Sequence, residues 1–166
     1  MLEILLKNKN FKKNYMKKSF LFLRVLSTLF FAQVAQSQAM QQPFNGARAT
    51  LKHYKALYVI NSNDTKRITG TLRNINNALE DPRLKGKLEV ELIVFGDRVS
   101  VYEKNGTFEA TLESLQEKGV LLAECENTIR ERHIEKSELF PFISYVPSGN
   151  GEIIIRHYQG WAVVHP

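Results

Sequence analysis

The chain has 166 residues and a formal net charge of +6, from 23 basic and 17 acidic residues. Residues 1–39 hold 7 of the basic and 1 of the acidic residues, which leaves 16 of each sign in residues 40–166. A neutral remainder does not support a basic surface for nucleic acid or for a membrane. The single cysteine, Cys125, excludes an intrachain disulfide.

The first 39 residues have the pattern of a secretory signal peptide. Basic residues precede an apolar run from Val25 to Ala35, and small residues follow at the spacing that signal peptidase requires. This run is shorter than the roughly 20 residues that a spanning helix needs. We expect cleavage near Ser37 or Ala39 and export, most simply to the periplasm, with Met16 as an alternative start. A retained leader and a buried N-terminal helix are the alternatives.

Residues 40–52 are polar, with Pro43 and Gly46, and we expect a flexible arm. Residues 53–166 then alternate between apolar runs and helical patterns, as in one α/β domain. The apolar runs predict strands at 55–60, 88–95, 120–123, 142–146 and 161–164. Helices are predicted from the 61–64 turn to Pro82, from a Thr107 cap to Gly119, at 126–132 and at 150–159.

This alternation predicts an α/β fold of three layers, in which a mostly parallel five-stranded sheet is covered on both faces. Right-handed crossovers make such a sheet doubly wound. Ligands of these sheets bind beyond the carboxyl ends of the strands, near the point where the strand order reverses. The residues expected at that edge are Asn61, Ser62, Gly96, Asp97, Cys125, Asn127, Pro147 and Ser148.

Cys125 is the candidate reactive group. It directly precedes the helix predicted at Glu126, and a helix N-terminus lowers the pKa of a thiol. The carboxylates of Glu124 and Glu126 would raise that pKa if they lie close. A lone cysteine can carry sulfur as a persulfide or exchange a disulfide with a partner. The alternative is a small, inert, buried side chain.

Other chemistry has little support in the sequence. The four histidines have no metal-ligand spacing, and we expect no metal and no cofactor. Ser148 begins a helix, either as a plain N-cap or as part of an anion site. A hydrolase that uses Ser62 or Ser148 lacks a base at a recognisable spacing. The aromatic run from Phe140 to Tyr145 fits a subunit interface or a buried edge strand equally well.

Three segments together resemble the DsrE/DsrF-like family, in its exported branch. They are YKALYVIN with LRNINNALEDPRLKGKLEVELIVFGD, then GVLLAECENTIRER, then FPFISYVPSGNGEIIIRHYQGWAVVHP, and they span most of residues 53–166. The resemblance implies a flavodoxin-like fold, homo-oligomers, and small subunits that relay sulfane sulfur as a cysteine persulfide. It places the carrying residue at Cys125, with Asn127 and Thr128 as neighbours that shape the site.

The resemblance also implies partners, namely sulfur donor and acceptor proteins or small sulfur compounds. We therefore predict an exported sulfur carrier, or a sulfurtransferase-like subunit, that uses Cys125. The alternative is a non-catalytic module that binds a small ligand in the pocket or other subunits on its outer faces.

Overall fold

The structure is a computed structural model that describes residues 44–96 and 99–166, of which residues 48–166 form one compact unit. The predicted signal peptide lies outside the described residues, and so does Asp97. The elements are β1 (Tyr54–Ile60), α1 (Thr65–Glu80), β2 (Leu88–Val94), α2 (Glu109–Glu117), β3 (Leu121–Cys125), α3 (Glu126–Arg132), β4 (Ser144–Val146), α4 (Gly149–Tyr158) and β5 (Ala162–Val164). Short 3₁₀ turns lie at Val99–Val101 and Lys136–Glu138.

The five strands pair in parallel, in the order β4-β3-β2-β1-β5. The crossovers through α1, α2 and α3 each add the next strand on the same side. The crossover through α4 then carries the chain back across the sheet to β5, beside β1. Right-handed crossovers in opposite directions place their helices on opposite faces. The predicted α/β fold is confirmed as a five-stranded parallel sheet between helical layers.

The two faces of the sheet bury different cores. We call the face covered by α1, α2 and α3 the front and the face covered by α4 the back. In β1, Ala56, Tyr58 and Ile60 point to the front, while Leu57 and Val59 point to the back. The helices add Ile68, Leu72, Ile75, Leu112, Leu115 and Ile129 to the front core, and the back core is completed by Ile93, Ala123, Trp161 and Ile153.

Three of the predicted helix ends are confirmed and one predicted cap is wrong. Asp64 caps α1 by accepting a hydrogen bond from Lys66 N–H at 2.8 Å, and α1 ends before Pro82. Gly119 follows α2 with φ +86°, a left-handed conformation that glycine adopts without strain. Thr107 does not cap α2. The cap position is taken by Phe108, which packs against the front core and makes no side-chain capping bond.

The predicted strands at 120–123 and 142–146 have different bounds in the structure. β3 continues to Cys125, because Glu124 and Cys125 still pair with Tyr145 and Val146 of β4. β4 begins only at Ser144 and forms one edge of the sheet. Phe140 and Ile143 are buried in the front core, which agrees with the edge-strand interpretation of this aromatic run.

A buried ion pair fixes α4 on the back of the sheet. Arg156 of α4 places Nη2 2.6 Å from Oε2 of Glu91 in β2, and Glu91 is 2 % exposed. Burial raises the pKa of Glu91, and the Arg156 guanidinium opposes that rise. The guanidinium also lies 4.4 Å from the ring centre of Trp161. This cluster connects the last turn of α4 to β2 and to Trp161. In the described part of the chain, no helix is long and apolar enough to cross a membrane.

Candidate functional site

The strand order places the switch point of the sheet between the ends of β3 and β4. The chain leaves β3 for α3 on the front, whereas it leaves β4 for α4 on the back. Neighbouring strands whose connections diverge in this way define the usual ligand position of an open α/β sheet. Cys125 ends β3 at this point and occupies the N-cap position of α3, as the sequence predicts.

The Cys125 thiol points to the back of the sheet, toward the start of α4. Its Sγ accepts a hydrogen bond from Gly149 N–H at 3.2 Å, where α4 begins. Val146 is its partner on β4. Phe95 lies beside it on the other side, one residue beyond the pair Val94 and Glu124. Cys125 is 5 % exposed, so the residue is enclosed at this point of the sheet.

Burial by itself raises the pKa of the Cys125 thiol, but the surrounding donors outweigh it and the pKa lies below its ordinary value. The N–H groups of Thr128, Gly149 and Asn127 and the hydroxyl of Thr128 all favour the thiolate. The donor that makes a hydrogen bond of normal geometry to Sγ is Gly149 N–H. The sulfur makes no capping hydrogen bond to α3. The site therefore favours an anionic sulfur.

Thr128 connects this sulfur to the end of β2. It is buried, and its hydroxyl oxygen accepts a hydrogen bond from Gly96 N–H at 2.9 Å. Gly96 has φ +77°, and its carbonyl accepts a hydrogen bond from Arg132 Nε at 3.1 Å. The turn after β2 is thereby tied to both ends of α3, which keeps the Thr128 hydroxyl near Cys125.

The start of α4 approaches the sheet so closely that residue 149 has to be a glycine. A Cβ atom at Gly149 would lie 2.8 Å from Cδ1 and 2.9 Å from Cγ of Phe95. Real Cβ contacts do not become that short, so a larger residue would displace Phe95 or α4. The missing side chain lets the Gly149 N–H reach the sulfur.

Ser148 is the N-cap of α4, and its hydroxyl accepts a hydrogen bond from Gly151 N–H at 3.2 Å. This agrees with the plain N-cap interpretation. Asn127 contributes its N–H near the sulfur, while its side-chain oxygen accepts a hydrogen bond from Arg130. Of the residues predicted at the strand ends, Asn127 therefore lies near the sulfur, Gly96 is joined to the site through Thr128, and Ser148 directly precedes the donor Gly149. Thr128, which the family resemblance implied, also lies near the sulfur.

Asn61 and Ser62 do not belong to this cluster, because β2 lies between β1 and β3. The side chain of Asn61 is hydrogen-bonded to His165 Nε2 at 3.1 Å, near the end of β5. The Ser62 hydroxyl accepts a hydrogen bond from Asp64 N–H at 3.3 Å, which is a turn contact. Sequence reasoning grouped these two residues with Cys125 because all strand ends share one edge.

The two glutamates that flank Cys125 differ in their surroundings. Glu126 is partly exposed and pairs with Lys136, Nζ to Oε1, at 2.7 Å. Glu124 is completely buried on the front of the sheet. Its Oε1 accepts a hydrogen bond from Cys125 N–H at 3.0 Å. Neither carboxylate therefore lies in the back-face enclosure of the thiol.

Sequence reasoning did not identify Gly149, Phe95 or the burial of Glu124 as parts of the site. Gly149 had a local signal, since it follows an N-cap serine at the start of a predicted helix. Its contact with Phe95 joins residues that are far apart in the chain, which no local pattern indicates. In the described residues, no group of three or more His, Cys, Asp or Glu side chains could hold a metal ion.

Replacement of Thr128 by valine tests the donors around the sulfur. Thr128→Val keeps the shape of the side chain but leaves Gly96 N–H without its acceptor. We expect a loss of about 1 to 2 kcal/mol in the free energy of unfolding and a higher pKa of the Cys125 thiol. Denaturant unfolding and a thiol titration measure the two effects. Thr128→Ser, which keeps the hydroxyl, should change the pKa little; a pKa that does not move in the valine variant would contradict the assignment.

Comparison with solved structures identifies proteins of the same fold. The chain is similar to the protein of unknown function MTH1491 from Methanobacterium thermoautotrophicum, with a TM-score of 0.64 and 25% identity over 68% of this chain and 99% of that one. It is also similar to the conserved protein of unknown function BT1422 from Bacteroides thetaiotaomicron, with a TM-score of 0.55 and 10% identity over 73% of this chain and all of the other. No protein-family model and no curated protein matches the sequence.

Proposed function

We propose that the protein is an exported sulfur carrier of the DsrE/DsrF-like kind, in which Cys125 accepts sulfane sulfur as a persulfide. The single observation that carries this proposal is the hydrogen bond from Gly149 N–H to Sγ at the ends of β3 and β4. A donor aimed at the sulfur, together with the N–H and hydroxyl groups of α3, favours the thiolate of Cys125 over the neutral thiol.

The proposed chemistry is a transfer of one sulfur atom without net oxidation. The Cys125 thiolate attacks the outer sulfur of a donor persulfide or polysulfide. A bond forms between Sγ and that sulfur and the donor S–S bond breaks. A donor persulfide leaves as a thiolate, and a polysulfide leaves as hydrosulfide or a shorter polysulfide. In the second step an acceptor thiolate attacks the outer sulfur of the Cys125 persulfide, and Cys125 leaves as a thiolate. A single cysteine is sufficient for both steps.

Transfer requires access to the sulfur of Cys125, a residue that is 5 % exposed. Phe95 and Val146 are each partly exposed and flank it on the back of the sheet. A rotation of the Phe95 side chain would open the enclosure without breaking the sheet. Small sulfur compounds and a narrow cysteine-bearing segment of a donor protein are the partners that such an opening admits.

The burial of Cys125 also supports a second candidate function. An enclosed thiol that accepts one hydrogen bond could simply hold α4 in place. The protein would then be a non-catalytic module that binds a small ligand or other subunits. Export and assembly into homo-oligomers stay predictions from the sequence under either function.

Incubation of the purified full chain with polysulfide decides between the two functions. The sulfur carrier should gain about 32 Da, the mass of one sulfur atom, and should lose it again on addition of a thiol acceptor. Because the chain has one cysteine, Cys125→Ala should gain nothing. An equal gain in Cys125→Ala, or no gain in the wild-type protein, would contradict the proposal. If the wild-type protein gains no mass and its thiol is labelled only after unfolding, the result would support the non-catalytic module.

A further inference from the structure

Glu124 is a fully buried carboxyl group directly before the candidate nucleophile. Its exposed fraction is 0 %, and it lies on the front of the sheet between Val94 of β2 and Tyr145 of β4. Its Oε1 accepts a hydrogen bond from the backbone N–H of Cys125 at 3.0 Å. Its Oε2 is buried and has no hydrogen-bond partner in the described structure. The side chain is therefore connected to Cys125 but to no compensating charge.

The groups packed around Glu124 do not neutralise it. The Tyr102 hydroxyl donates to Leu92 O at 3.3 Å, and the Tyr145 ring lies 4.1 Å from Lys136 Nζ. Lys136 is itself paired with Glu126, and the other charged residues of α3 are exposed. No cation of the described residues forms an ion pair with Glu124. An ionised carboxylate in this position is costly, because nothing replaces its lost hydration.

The neutral acid is thus the favoured form of Glu124 over a wide pH range. Burial raises the pKa of Glu124 to about 8; the hydrogen bond from Cys125 N–H opposes the rise, and the charge of a Cys125 thiolate adds to it. The interaction between the two charges is reciprocal, so an ionised Glu124 also raises the pKa of the thiol. The carboxyl and the thiol therefore titrate as a coupled pair.

We propose that Glu124 is a positioning residue that sets the charge of the sulfur site: it stays a neutral acid while Cys125 is a thiolate or persulfide anion, and its ionisation disfavours both anions. The persulfide part of this inference rests on the proposed function, whereas the thiolate part does not. The carboxyl thus limits the sulfur site to one negative charge near neutral pH. As the pH rises, the ionisation of Glu124 raises the pKa of the Cys125 thiol and so shifts the formation of the thiolate to higher pH.

The test is the titration of the Cys125 thiolate in the full-length protein, followed by its ultraviolet absorbance, which does not require access to the sulfur. Cys125→Ala supplies the blank. Two groups that interact by about one pK unit or more titrate in two steps, so the wild-type curve should be broader than a one-proton curve. Glu124→Gln should give a one-proton curve whose midpoint lies below that of the wild-type curve.

Glu126→Gln is the matched control, because it removes the carboxylate on the other side of Cys125 from a partly exposed position. It should keep the broad wild-type curve. Superimposable curves for the wild-type protein and Glu124→Gln would overturn the inference. The inference would also be overturned if Glu126→Gln changed the titration curve as much as Glu124→Gln does.

A second measurement decides the question if Glu124→Gln does not fold. The Glu124 carboxyl can be titrated by carbon-13 NMR in the wild-type protein and in Cys125→Ala. Reciprocity predicts a lower midpoint once the thiol is absent, and an unchanged midpoint would overturn the inference. Sulfur uptake is measured separately: a protein with coupled titration but no mass gain would refute the sulfur carrier and leave the role of Glu124 intact. A mass gain without coupled titration would support the sulfur carrier and refute the role of Glu124.

Discussion

In the Glu124→Gln variant, the free energy of unfolding is expected to fall much less with rising pH than in the wild-type protein. The carboxyl has a pKa of about 8 when folded, against an ordinary value of 4.5. Because the pKa is raised in the folded protein, the protonated carboxyl contributes fully to the free energy of unfolding below pH 4.5. This contribution is lost as the pH rises through 8. The unfolded chain releases this proton first, so the wild-type protein should lose about 3 kcal/mol of stability between pH 4.5 and pH 7 through Glu124 alone.

Denaturant unfolding at a series of pH values measures this difference. The slopes of stability against pH should be compared, since the amide that the substitution introduces has its own cost, which does not vary with pH. Glu126→Gln serves as the control and should retain the wild-type slope. If the free energy of unfolding of Glu124→Gln falls as steeply with pH as that of the wild-type protein, Glu124 is not a buried neutral acid.

Gly149→Ala should destabilise the protein and weaken the sulfur site together. The added Cβ would meet three atoms of Phe95 at 2.8 to 3.0 Å, including Cβ, which no side-chain rotation can move away. Overpacking of this kind costs about 2 kcal/mol. The displacement of α4 should also weaken the hydrogen bond from Gly149 N–H and raise the pKa of the Cys125 thiol. Thermal unfolding and the thiol titration follow the two effects.

Gly70→Ala is the matched control for this substitution. Gly70 lies inside α1, where an added Cβ meets nothing within 4 Å, and alanine should stabilise the helix by up to about 1 kcal/mol. The double variant Gly149→Ala with Phe95→Ala should lose less stability than the sum of the single variants, because two of the three clashing Phe95 atoms are absent. A Gly149→Ala protein as stable as Gly70→Ala would show that the close approach is not essential.

The fold could be predicted because its signals are local. Apolar runs gave the five strands, and caps such as Asp64 and Ser148 marked helix starts. The position of Cys125, at the end of the third strand and before a helix that begins at Glu126, followed from the same signals. The alternation of strand and helix was sufficient for a parallel sheet, but it did not determine the order of the strands.

The composition of the site depended on that order and on contacts between distant residues. The sequence indicates that Asn61 and Cys125 share one edge of the sheet, but not that β2 separates them. Glu124 and Cys125 face opposite sides because strand residues alternate, and this became visible only once β3 extended to residue 125. The approach of Gly149 to Phe95 arises from the packing of α4, which the Glu91–Arg156 pair holds in place.

The reactivity of Cys125 in the folded, full-length protein is the most direct test of the account. The rate of alkylation should be followed from about pH 5 to about pH 9, with Cys125→Ala as the blank. We predict labelling without unfolding, with an apparent pKa below the roughly 8.5 of a free cysteine. A thiol that labels only after denaturation, or that titrates above this value, would contradict the claim that the donors around Sγ prepare it as a nucleophile.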